Sequence, residues 1–302
     1  MHHRIKNGLN KKHAGFSGIN HVLITIGLFV ILFFIPVAPF TDLVARIRET
    51  PVTLIMSFLI ICGAALLPDL DNLKSEGGSS AAWDLGIFGG IISSLMVTIS
   101  SIMTTVFRGK RDPEPPTQHR WFWHTLLIPL IIAALVFFFV PAGDAKAIDL
   151  FMVMGNGGRF PTNVVVILLL IFICVYVGAA LLLKKINRWI PAINFKPGLL
   201  ALALGGVALI IALVMSNQTD LRFYGFCVAI GYVAHLIGDA FADSGVPLLF
   251  PITGIFRKFW MRIRFFPVTV TTGGITETIL KFVFTGVDLV LIYCLFAFVL
   301  LK

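Results

Sequence analysis

Residues 222–242 read RFYGFCVAIGYVAHLIGDAFA, an apolar run interrupted near its end by His235 and Asp239. About 20 apolar residues suffice to cross the hydrocarbon layer as a helix, and this run has that length. His235, Asp239 and, one turn further, Asp243 recur at i, i+4 and i+8, which stacks them on one helix face. An ionisable side chain at membrane depth costs about 3 kcal/mol on insertion scales. Three such groups on one face of an apolar helix therefore call for a chemical use.

Comparable apolar runs lie on either side, at 21–40, 52–68, 121–141, 163–183, 198–216 and 278–301. Composition agrees with them. Of 302 residues, 58% are hydrophobic and 13% are charged, with a mean hydropathy of +0.95. A soluble domain carries about 25% charged residues, because polar side chains must cover a wet surface. This chain has too few to do so. The sequence predicts an all-α integral membrane protein, a polytopic bundle of about seven transmembrane helices. Residues 1–20 form a basic tail and 21–302 a single transmembrane domain. No small-residue cleavage site follows the first apolar run, which reads as an anchor.

Residues 83–107 (WDLGIFGGIISSLMVTISSIMTTVF) are long enough to span but rich in Ser, Thr and Gly. Loop charge decides how to treat them. With a cytoplasmic N-terminus and 83–107 not crossing, 18 of the 24 Lys and Arg fall inside and 6 outside. A crossing at 83–107 would flip every later loop and remove that asymmetry. Because basic loops stay cytoplasmic, the expectation is a re-entrant hairpin broken near Gly89-Gly90, or an interfacial helix. Residues 265–276, with β-branched runs before Gly273-Gly274, are expected to form a short cytoplasmic hairpin. The net charge of +9 is thus topological. It gives no basic arm for nucleic acid, and none is expected as a partner.

The four cysteines lie singly inside apolar runs, which excludes a zinc ribbon or a disulfide framework. The histidines and aspartates are distributed differently. His21 opens the first span, and Asp69 and Asp71 in LLPDLDN end the second. His119, Arg120 and His124 in QHRWFWHT open the span at 121–141. In the charge-derived topology all of these share the cytoplasmic end with His235, Asp239 and Asp243, although only Lys and Arg set that topology. Asp69 and Asp71 also suit a solvated turn, and His119 and Arg120 suit contacts with lipid headgroups. Taken together, the set points to metal. A His/Asp shell suits Zn²⁺, Mn²⁺ or Fe²⁺. The ligand count fits two ions, or one ion with supporting carboxylates.

The ordered motifs GINH (18–21), LLPDLD (66–71), HRWFWHT (119–125), AHLIGD (234–239), GVPLLFP (245–251) and GGITE (273–277) resemble the YdjM-like family. The resemblance implies a membrane-bound, metal-dependent hydrolase of the bacterial inner membrane. It carries the family's polar set onto His21, Asp69, Asp71, His119, Arg120, His124, His235 and Asp239, and it adds Glu277. Two indoles, Trp121 and Trp123, stand where the family has small or hydroxylated residues, and Asp243 is not a family position.

The expected site therefore has His21, Asp69, Asp71, His119, His124, His235 and Asp239 as metal ligands. Zinc or manganese is the expected metal, as one or two ions. Arg120 would hold an anionic substrate oxygen, and Glu277 or Asp243 would act as base or support. The partners would be membrane lipids and an amphiphilic or lipid-linked phosphoester such as a phospholipid or polyprenyl phosphate. A metal-ion or proton transporter is the alternative, since such a path also uses intramembrane His and Asp.

Overall fold

A computed structural model describes residues 18–35, 41, 51–71, 86–107, 122–139, 162–190, 196–215, 221–241, 246–248, 270 and 274–300. The described residues form eight α-helices and no strand. They are α1 (Gly18–Phe34), α2 (Pro51–Ala64), α3 (Ile87–Phe107), α4 (Leu127–Phe139), α5 (Thr162–Trp189), α6 (Pro197–Met215), α7 (Leu221–Ala240) and α8 (Ile275–Leu300). Two 3₁₀ turns, Pro68–Asp71 and Phe122–His124, follow α2 and precede α4. Helices α5 to α8 are long and apolar enough to cross a membrane, and α1, α2 and α3 are shorter apolar helices. The protein is a polytopic helical membrane protein.

Helix α7 is the hub. It packs against α1, α2, α4 and α5, and 78% of its apolar window is buried, against 11% for α8. The outer faces of α6 and α8 present Leu199, Val207, Ile210, Val214, Phe282, Val283, Leu289 and Val290. In water an apolar surface of that extent would drive association, whereas facing lipid it costs nothing. Some hydroxyls within the bundle are satisfied by their own helix, as where Ser57 Oγ donates to the Thr53 carbonyl at 2.7 Å.

The segment 83–107 departs from the hairpin form. Helix α3 runs unbroken from Ile87 to Phe107. The glycines expected to break it sit in its first turn, where N–H groups lack intrahelical acceptors in any case. Gly86 takes a positive φ of 91° just before. Gly89 N–H then donates to the Tyr176 hydroxyl at 3.1 Å, and Gly90 N–H to the Gly86 carbonyl. Most of the expected hairpin at 265–276 lies outside the described residues. Val270 holds an isolated bridge position, and Ile275 and Thr276 already belong to α8.

Candidate metal centre

The centre is built where the ends of α2, α4 and α7 meet the start of α1. Helix α7 supplies His235 and Asp239, i and i+4 on one face as the spacing predicts, both fully buried. Helix α1 supplies His21, the turn after α2 supplies Asp69, and the turn before α4 supplies His124. His21 and His124 are also fully buried, while the side chain of Asp69 is 33% exposed.

His235 is aimed by the backbone. After Ala64 the ladder of α2 tightens, with Leu66 N–H donating to the Gly63 carbonyl and Leu67 N–H to Ala64. The next such bond would bring the nitrogen of residue 68 to the Ala65 carbonyl, but Pro68 has no N–H. The carbonyl is left for His235 Nδ1, which reaches it at 2.7 Å. A carbonyl only accepts, so Nδ1 carries the proton and Nε2 turns its lone pair to the centre, the arrangement typical of a metal-bound imidazole.

Nε2 of His235 stands 3.4 Å from Asp239 Oδ2 and 3.8 Å from Asp69 Oδ1. Nε2 of His124 stands 3.3 Å from the same Asp239 oxygen and 3.9 Å from the same Asp69 oxygen. Donors about 2.0–2.2 Å from a tetrahedral ion lie about 3.3–3.6 Å apart, so these four His–Asp distances come close to that range, and Asp69, His124 and His235 could together hold one divalent ion. Two nitrogens and two carboxylate oxygens also suit zinc or manganese chemically.

His21 lies against this set. Its Nε2 is 3.5 Å from Asp239 Oδ1, and its ring stacks on His235 with centroids 4.0 Å apart. His21, His235 and Asp239 form one candidate ligand group and Asp69, His124 and His235 another, with His235 common to both. Gly238 makes the stacking possible, since a Cβ there would stand 2.5 Å from His21 Nδ1. Burial opposes ionisation of Asp69, but a protonated His235 would outweigh it together with hydrogen bonding to His124, holding the carboxyl below the usual carboxylate range while the centre is metal-free.

The two turns are fixed by neighbours that spacing does not reveal. Ser93 of α3 donates to the Leu70 carbonyl at 2.5 Å. Trp123 Nε1–H donates to the Met96 carbonyl at 2.7 Å, and the Tyr232 hydroxyl donates to the Trp123 carbonyl. The indole that departs from the family pattern thus clamps the His124 turn to α3. Leu126 N–H donates to the Leu248 carbonyl at 2.9 Å, which ties Leu248 to the approach of α4.

Glu277 is buried in the first turn of α8, where a helix N-terminus favours an acid. Its Oε1 accepts from Asn20 Nδ2 at 2.8 Å, which links it to the residue beside His21. Asn20 carries no charge, so its only signal in the sequence was its place in the GINH motif. Asp288, buried in the middle of α8, was missed; its signal was a lone acid inside the span at 278–301. Asp71 closes the turn that carries Asp69. His119, Arg120 and Asp243 lie outside the described residues.

Residues 198–301 match the YdjM inner membrane protein family. The YdjM match takes in α7 and α8, hence His235, Asp239 and Glu277, while His21, Asp69 and His124 are brought to it by the fold. No curated protein and no solved structure matches the chain.

Proposed function

We propose that the protein is a membrane-bound, metal-dependent hydrolase acting on an amphiphilic phosphoester, such as a phospholipid or polyprenyl phosphate. The observation that supports it most is the convergence of the His124, His235, Asp69 and Asp239 donors at one end of the bundle, with Asp69 alone among them open to solvent. Zinc or manganese held there would polarise a phosphoryl oxygen and activate a water. His235, locked by Ala65, and His124, locked by the Tyr232 clamp, give the site its rigidity. The buried side of the centre excludes water, and substrate approaches past Asp69. Arg120 precedes the His124 turn in sequence and grips an anionic oxygen in a bidentate fork. Glu277 or Asp243 serves as base, with Glu277 held through Asn20. The centre faces the cytoplasm in the inner membrane, as the Lys and Arg distribution supports. There the headgroup of a lipid substrate lies within reach.

The carrier reading has one observation in its favour, the buried carboxyl of Asp288 far along α8 from Glu277. Purified protein settles the choice. On the hydrolase reading it contains stoichiometric transition metal and cleaves a lipid phosphoester, and His235→Ala loses both. Metal flux into proteoliposomes without cleavage would sink the hydrolase reading.

A further inference from the structure

The hydrolase chemistry proposed above makes no use of Asp288. From Glu277 to Asp288 the helix rises about 16 Å at 1.5 Å per residue, about half of a hydrocarbon layer roughly 30 Å thick. Its neighbours Val287, Leu289 and Val290 are 48%, 64% and 62% exposed, yet Asp288 is only 5% exposed. The carboxyl therefore turns from the lipid-facing surface of α8 into its contact with α1.

The position that receives it is Gly27. A Cβ at residue 27 would stand 2.9 Å from Asp288 Oδ1, so glycine leaves the carboxyl its space. Oδ2 is buried and makes no protein hydrogen bond among the described residues. No Lys, Arg or His among those residues lies within ion-pair distance of it. The titratable neighbour is the thiol of Cys62 on α2. Helix α1 has no titratable side chain from Val22 to Phe34, and α2 has none besides Cys62. On α8 itself, Glu277 and Lys281 lie three and two turns towards the metal centre, and Tyr293 points outward, 72% exposed. An ionised carboxylate at such a place has lost most of its water, with no cation among the described residues and no donor to Oδ2 in exchange. A carboxylic acid avoids most of that cost.

We propose that Asp288 is an intramembrane proton-binding site, a carboxylic acid lodged against Gly27 of α1 and separate from the metal centre. An apolar carbodiimide such as dicyclohexylcarbodiimide is its natural probe. The carboxyl proton passes to a carbodiimide nitrogen as the oxygen bonds to the central carbon. Migration of the acyl group to nitrogen then leaves a stable N-acylurea, and nothing is lost.

The full chain in its membrane or in detergent should take up one adduct, mapped to the peptide containing Asp288, and a water-soluble carbodiimide should not label it. Asp288→Asn should reduce the adduct at least tenfold while keeping the wild-type metal content, which separates this site from the centre. Infrared difference spectra should show a carboxylic-acid carbonyl band that shifts in D₂O and is lost in the variant. Absence of an adduct at Asp288, or loss of carboxylate rather than carboxylic-acid bands in the variant, overturns the proposal. If the variant does not accumulate, mapping the adduct on the wild-type chain decides alone.

Discussion

His235 donates its Nδ1 proton to the Ala65 carbonyl, 2.7 Å away across the contact between α7 and α2. The bond exists because Pro68 cannot offer the N–H that would otherwise take that carbonyl. One proline thus sets the tautomer of a histidine far from it in sequence.

Pro68→Ala should weaken the centre without touching a ligand. The new N–H competes for the Ala65 carbonyl and frees the His235 ring to turn. Losing a partner that orients a ligand typically costs about 10–100-fold in metal affinity. Competition with a chelator of known affinity, followed by elemental analysis, measures the change. Unaltered affinity would show that Ala65 does not orient the ring.

Gly238→Ala tests the stacking of His21 on His235. The added methyl would lie 2.5 Å from His21 Nδ1, so the ring or α1 must move. Overpacking of this kind costs about 1–3 kcal/mol. A lowered Tm in detergent is expected, with reduced metal content. A variant as stable and as metal-loaded as the wild type would place His21 outside the centre.

Tyr232→Phe removes the hydroxyl that holds the Trp123 carbonyl, and Trp123→Phe removes the donor to Met96. Each hydrogen bond contributes about 1 kcal/mol. Because both clamp the one turn that carries His124, their losses should be non-additive in a double-mutant cycle read by thermal unfolding. Strict additivity would mean that the turn is held by other contacts.

Asn20→Ala removes the amide that donates to buried Glu277. Weakening the hydrogen bonding of a buried carboxylate costs about 1–3 kcal/mol. Reduced Tm is expected with metal retained, since neither residue is among the four converging donors. Any phosphoester cleavage should fall more than metal content does. Equal losses of metal and activity would instead place Glu277 in the ligand set.

The membrane class, most spans and the one-sided gathering of His and Asp were legible in the chain. They follow from local quantities: runs of apolar residues, the i, i+4 spacing of His235 and Asp239, and Pro68 ending α2 before Asp69. For α3 the sequence left a broken hairpin and an interfacial helix open, and the unbroken helix was not decided by it, because the Tyr176 hydroxyl that receives Gly89 N–H comes from a helix 87 residues away. Asn20 escaped for a similar reason, as an amide reveals its partner only when α8 packs on α1. Asp288 was visible as a letter, but its enclosure by Gly27 was not.

By itself, the sequence determined that this protein is helical and membrane-embedded, and which residue types it holds near one membrane face. Hydropathy and periodicity are properties of neighbours along the chain, so they survive without coordinates. Only the tertiary structure decided which side chains share one point in space. The donors of Asp69, His124, His235 and Asp239 come from three separate stretches, and their 3.3–3.9 Å spacings are set by how α7 packs against α2 and α4. Packing likewise decides that Asp288 stands apart from them, turned into α1 instead of towards the lipid.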